Sequence, residues 1–205
     1  MKERRNHRDD IVRAAIDVVA ENGLSTVSTR LIAAQAGVSS SLMYRFFKSE
    51  DELLVACLYQ VLNSLTEFLE GYVEIQADTM EEYVKEVHRR WNLFFAYLVE
   101  HAFDTLFFYY FSNSIKMVHL TDSGEFHARD FYAMLSLKLG ASDRSFANLK
   151  DGTIPYFWTY YLHLSLFFAV ETIRGKLPDT EQIREGIWAL LSSEISHSSP
   201  SNAGS

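Results

Sequence analysis

Apolar residues recur at three- and four-residue spacing along nearly all of this chain of 205 residues, and no convincing stretch alternates as a strand would. Helices patterned this way each bury a stripe against others, so the fold class expected is all-α. Ile11, Ala14, Ala15, Val18 and Val19 mark a first helix over about 8–22, which Gly23 stops. Ser28 caps a second, short helix carrying Leu31, Ile32 and Ala34, which Gly37 ends after Ala36. Ser39 caps a third, running to about Phe47. Ser49 and Glu52 form a capping box, in which side chains at both ends of the first turn satisfy free amides, at the start of a long fourth helix through Leu53, Leu54, Cys57, Val61 and Leu65. Thr79 with Glu82, Asp122 with Glu125 and Asp179 with Gln182 mark later starts, and Gly140 and Gly175 mark stops. Pro155 suits the first turn of a helix ending near Arg174. About nine helices result. No internal repeat is visible, and the low-complexity tail 198–205 is expected to be disordered.

A chain of this length buries about 70% of the surface its unfolded form exposes, so it needs no covalent staples. Its single cysteine, Cys57, excludes an internal disulfide framework and a Cys-rich zinc module, and fits a reducing compartment. The unbroken apolar run 53–59 has seven residues, far short of the roughly 20 that cross a bilayer. With no signal-peptide core near the start, the expectation is a soluble, cytoplasmic protein with no membrane partner.

The formal net charge of −8 argues against nucleic acid until it is divided along the chain. Residues 1–50 carry eight Lys and Arg against six acids, a net of +2, and the remainder carries −10. Between Glu21 and Glu50 lie 28 residues without one acid, with Arg30, Arg45 and Lys48 among them, and Lys2, Arg4, Arg5 and Arg8 crowd the start. A solvated surface that happens to lack acids would look the same. The arrangement of the helices separates the two readings.

Two short helices joined by Ala36-Gly37-Val38-Ser39 have the dimensions of a helix-turn-helix, whose second helix enters the DNA major groove. Glycine permits the turn, and Ala33 and Ala36 allow close approach. Any helical hairpin can imitate the bare pattern. The surrounding run from Ile11 to Leu54, with Ala14-Ala15, Gly23, Thr26-Val27-Ser28, Ile32-Ala33, Tyr44, Phe47 and Leu53, closely resembles the N-terminal domain of tetracycline-repressor (TetR) family transcription regulators. The resemblance covers about 45 residues.

What it implies is a DNA-binding domain over 1–48, a helical effector-binding and dimerisation domain over 49–197, and the tail. In the family's pattern Ser39 and Tyr44 hold backbone phosphates, Thr29 and Arg30 flank the groove, and Ser40, Ser41, Leu42 and Arg45 face bases or the groove wall. Hydroxyls and cations fix register on phosphate, a bidentate arginine prefers guanine, and an apolar tip prefers a thymine methyl. Each also has a plainer reading: Ser39 as an N-cap, Tyr44 packed on the first helix, Leu42 as core. Met43 and Phe47 are expected in the core. Glu50 stands where family members commonly carry a phosphate-contacting lysine, and Phe46 replaces a frequent histidine or tyrosine. Lys48, or the amides opening the fourth helix, are the substitutes. Because few polar groups are left to read bases, part of the specificity is expected from DNA shape.

Between Trp91 and Phe168 fall 21 of the 29 aromatic residues. Most must be plain core, but an aromatic-lined pocket is the usual form of a small-molecule site. The resemblance implies an effector here, expected to be apolar or aromatic, with Trp91, Phe95, Phe107, Tyr110, Phe111, Tyr132, Trp158, Tyr161 and His163 as lining candidates. Glu100 and Asp104 would favour a cation, though a solvated face explains them equally well. The last two helices, about 154–174 and 179–196, match the pair the family uses to dimerise, and Ile183, Ile187, Leu190, Leu191 and Ile195 give the final one an apolar stripe. Ile183, Ile187, Leu190 and Leu191 are the interface candidates, and a homodimer would read a palindromic operator in double-stranded DNA. No cofactor and no metal are expected. The seven histidines form no HxxxH pair, and there is neither a glycine-rich phosphate loop nor GxSxG, so an enzyme is not expected. The alternative is a helical lipid or drug carrier, which would need the aromatic domain but not the acid-free head.

Overall fold

A computed structural model describes residues 7–140 and 156–192, with side chains described for 7–140 and 160–192. Ten α-helices and one short 3-10 turn, Leu24–Thr26, make up the described residues, with no strand among them. The helices are α1 His7–Asn22, α2 Thr29–Gln35, α3 Ser40–Phe46, α4 Glu50–Leu69, α5 Met80–Glu100, α6 Ala102–Ser112, α7 Ile115–Asp122, α8 Ala128–Leu139, α9 Tyr156–Ile173 and α10 Glu181–Ser192. The all-α expectation holds. Pro155, Ile195 and the tail lie outside the described residues.

They gather into two compact units that are not continuous in sequence. The first takes described residues from 7–70 and 101–126, and the second those from 71–100 and 127–192. In the first, α1 is the central element: Ile11, Ala15, Ile16 and Val19 are each fully buried, and α1 packs against α2, α3, α4 and α6. Arg13 ties it to α6, donating from Nη1 to Asp104 Oδ1 at 2.5 Å and from Nε to Asp17 Oδ1 at 2.9 Å. The short helices of the head are therefore packed together with α4, α6 and α7 rather than standing alone.

In the second unit α9 packs against α5, α8 and α10, and α5 against α8. The centre is aromatic. Trp91 and Tyr161 are fully buried, and Trp91 Nε1 donates to Ser165 Oγ at 3.0 Å. Trp188 packs 5.7 Å from Trp91 and 4.5 Å from the His88 ring. Arg90, buried on α5, is held by Glu86 at 2.8 Å, by the Lys138 carbonyl at 3.0 Å and by the face of Tyr72.

Two expected helix starts differ. No helix begins at Asp122: α7 opens earlier on Ser114, which accepts from the Met117 amide, and ends at Asp122. Gly124 follows at φ +76°, which no right-handed helix continues through. Glu125 instead accepts from Ser123 Oγ at 3.1 Å. At the last helix the cap is Thr180, whose hydroxyl accepts from the Ile183 amide, because Asp179 is drawn into a bidentate pair with Arg184 at 2.6 and 2.8 Å. Gly140 and Gly175 do end helices, at φ +139° and +71°.

Candidate nucleic-acid interface

Helices α2 and α3 form the expected hairpin, and its geometry follows from a few local groups. Ser28 Oγ accepts from the Leu31 amide at 3.3 Å and Ser39 Oγ from the Leu42 amide at 3.2 Å, so each helix begins on a side-chain cap. Between them Gly37 sits at φ +66°. Its amide donates to the Ala34 carbonyl and that of Val38 to the Ala33 carbonyl, the paired closure that ends a helix on a left-handed glycine. Ile32 and Ala33 below the turn are buried, as are Met43 and Phe47 at 2% exposure each. One face of α3 is thereby fixed to the core, and the opposite face is left to solvent.

That outer face carries the expected residues. Ser39, Ser40, Ser41, Arg45 and Lys48 are exposed, Leu42 is half-buried, and Tyr44 is 54% exposed. On α2, Arg30 is exposed and Thr29 half-buried. The Tyr44 hydroxyl donates to Thr29 Oγ1 at 3.4 Å, which sets the phenol across the gap between the two helices. Ser39 and Ser41 share a hydrogen bond at 2.9 Å. Tyr44 is thus a surface group and not part of the packing on α1. Arg8 is a further cation near this face: its guanidinium lies 5.2 Å from the Phe47 ring, beside the end of α3. Only tertiary packing brings it there, so spacing along the chain gives no signal for it.

The amides opening α4 are less open than expected. Ser49 Oγ accepts from the Glu52 amide at 3.1 Å, and Glu52 Oε2 reaches past the cap to accept from the Lys48 amide at 2.7 Å. Glu50, Asp51 and Glu52 add three carboxylates to that first turn, which opposes phosphate there. Lys48, just before the helix, is exposed.

The effector candidates are divided between the two units. Phe107, Tyr110 and Phe111 belong to the first unit; Trp91, Phe95, Tyr132, Tyr161 and His163 belong to the second; the Trp158 side chain lies outside the described residues. Phe107 and Phe111 stack at 5.6 Å and, like Trp91, Phe95 and Tyr161, are buried. Tyr132 and His163 stack at 5.6 Å, the tyrosine half-buried and the histidine exposed. Of the interface candidates on α10, Ile187 and Leu191 are buried within the chain, Ile183 is half-buried, and Leu190 is 59% exposed. Among the described residues no cluster of three or more His, Cys, Asp or Glu is placed to hold a metal, and no helix is long and apolar enough to cross a membrane.

A chain built this way falls in the class of all-α helix-turn-helix proteins with a larger helical body. Residues 11–57 match the family model described as bacterial regulatory proteins, tetR family. Similar curated proteins include the fatty acid metabolism regulator protein of Bacillus subtilis strain 168, 28% identical over 93 residues covering 45% of this chain and 48% of that one. The nicotine-responsive transcriptional repressor HdnoR of Paenarthrobacter nicotinovorans is 29% identical over 101 residues, 49% of this chain and 50% of that one. The chain thus spans about half the length of these relatives. Among solved structures, a putative tetR family regulator from Shewanella sp. PV-4 superposes with a TM-score of 0.68 at 16% identity, over 91% of this chain and 96% of that chain, which shows the shared fold. Residues 11–57 thus match the tetR family of bacterial regulatory proteins, and the chain shares the fold of solved regulators of that family.

Proposed function

We propose that this protein is a ligand-responsive, DNA-binding transcriptional repressor that binds a palindromic operator as a homodimer and is released by a small molecule. The observation that carries the reading is the outer face of α3, where Ser40, Ser41, Arg45 and Tyr44 are presented to solvent on a helix pinned from behind by Met43 and Phe47. Tyr44, Ser39 and Lys48 hold phosphates, Thr29 and Arg30 flank the groove, and Leu42 and Arg45 read bases. The carrier alternative leaves the acid-free face unexplained.

Dimerisation is supported by α9, which is apolar nearly all round yet covered on one side only. Tyr161, Leu162, Ala169 and Val170 are buried, whereas Tyr160 and Phe167, one face apart by seven residues, are 54% and 45% exposed. With Leu190 of α10 they supply the apolar surface a two-fold four-helix interface requires. Ile187 and Leu191 then support that face from within. The effector is an apolar or aromatic molecule in the helical body; Tyr132 and His163 are the lining candidates with accessible surface. The relatives' names point to a fatty-acid setting in one case and nicotine in the other. The test is operator affinity, by fluorescence anisotropy on the DNA upstream of the protein's own gene, for Tyr44→Ala and Arg45→Ala. Each is expected to lose about 1–3 kcal/mol, and unchanged affinity in both would remove α3 as the recognition helix.

A further inference from the structure

The first unit holds a cleft of about 570 Å³, within the size range of small-molecule sites, between the first turns of α4, the end of α6 and α7. Val55, Phe111 and Leu120 supply apolar walls from all three helices, enough for an aliphatic or aromatic body. Asp51, Glu52 and Glu125, three carboxylates, face the same space with Lys116 and the imidazole of His119. Lys116 Nζ is bonded to Asp51, so that pair cancels. Glu52 and Glu125 accept from neutral donors, the Lys48 amide at 2.7 Å and the Ser123 hydroxyl at 3.1 Å, and among the described residues no cation pairs with either. The cleft is therefore apolar within and negative at its mouth.

We infer that this cleft binds a small organic ammonium with an apolar body, at a place apart from the aromatic core of the second unit. The apolar part enters against Val55, Phe111 and Leu120, and the ammonium is held at Glu52 and Glu125 and competes with Lys116 for Asp51. The same carboxylates finish the DNA-binding head. Glu52 holds the Lys48 amide immediately after α3, and Ser49 caps the helix on which Asp51 and Glu52 stand. A cation that draws Glu52 away loosens the turn fixing the end of α3 and lowers operator affinity. This coupling rests on the repressor reading; binding itself does not.

Isothermal titration calorimetry on the full chain with 4-phenylbutylamine, 4-phenylbutanol and 4-phenylbutanoate separates the head groups over one shared body. The amine is expected to bind about tenfold tighter than the alcohol, and the carboxylate most weakly. Lys116→Met removes a like charge and frees Asp51, so it tightens the amine about fivefold, whereas Leu120→Trp fills the cleft and abolishes binding. Preference for the carboxylate, no heat with any probe at millimolar concentration, or unchanged or weaker amine binding in Lys116→Met would overturn the site, and this last holds even if Leu120→Trp fails to fold. Anisotropy run alongside decides the coupling. An amine that binds without weakening operator affinity refutes the coupling and keeps the site. A chain that binds no operator overturns the repressor reading while calorimetry still decides the cleft.

Discussion

Met43 and Tyr44 are neighbours on one seven-residue helix, yet one is 2% and the other 54% exposed. Helical geometry turns each successive residue by about 100°, so the alternation was legible once the helix itself was. The Tyr44 phenol is held toward Thr29 by its hydroxyl, and in the proposed repressor that hydroxyl is lent to phosphate. Tyr44→Phe should therefore weaken operator binding by about 1 kcal/mol, less than Tyr44→Ala, because the ring is retained; equal losses in an anisotropy titration would mean that the hydroxyl carries all of it. Cys57 is buried: its thiol donates to the Val12 carbonyl at 3.5 Å, and burial pushes its pKa far up. It should stay unmodified by iodoacetamide at neutral pH in the native protein and react on unfolding; rapid native alkylation would contradict that burial. The aromatic rings were the least legible residues. On a helix apolar all round, nothing in the spacing tells a ring that fills core, as Phe107 does, from one with accessible surface, as Tyr132 has.

At the scale of elements, starts and stops with a local cause were the readable ones. Ser28, Ser39 and Ser49 each cap the helix expected of them, and Gly37 and Gly175 each close one with the paired left-handed turn. Asp122 failed because a competing local signal, Gly124 at positive φ, lay inside its supposed first turn. Asp179 failed because the Arg184 guanidinium, five residues on, claims its carboxylate. The Glu86 cluster on α5 left no pattern either, since burial of Arg90 depends on α8. Hydrogen bonds from Arg89 and then Arg90 hold the Glu86 carboxyl down to about 2. A depressed carboxyl contributes stability that is present above its ordinary value near 4.5 and is lost as pH falls toward 2. Glu86→Gln should therefore destabilise the fold at pH 7 by on the order of 2 kcal/mol and flatten the loss of stability below pH 4.5, in urea melts at several pH values. A variant that loses stability in acid as steeply as the wild type would show that other carboxylates govern it.

Over the whole molecule, the division of charge was legible and the division into units was not. Contact between α1 and α6, fixed by Arg13 and Asp104, joins residues 91 positions apart, and no composition shift announces it. The exposed apolar face of α9 predicts assembly at this scale. Tyr160→Arg with Phe167→Arg should yield a folded monomer by analytical ultracentrifugation, with operator affinity reduced more than tenfold by loss of the second head. A double variant that still sediments as a dimer would place the interface elsewhere. The net of −8 divides along the chain: residues 51–205 carry −10, while the acid-free run 22–49 carries Arg30, Arg45 and Lys48, the division the proposed DNA contact requires.

We propose that this acidic protein binds DNA through Arg30, Arg45, Lys48 and the hydroxyls around α3. The most direct test is the dependence of operator affinity on salt, measured by anisotropy with the wild-type protein. Cations of two heads that neutralise several phosphates should make log Kobs fall linearly with log salt, with a slope of about −3 to −5. A slope near zero, or no binding at low salt to DNA from its own upstream region, would contradict the claim.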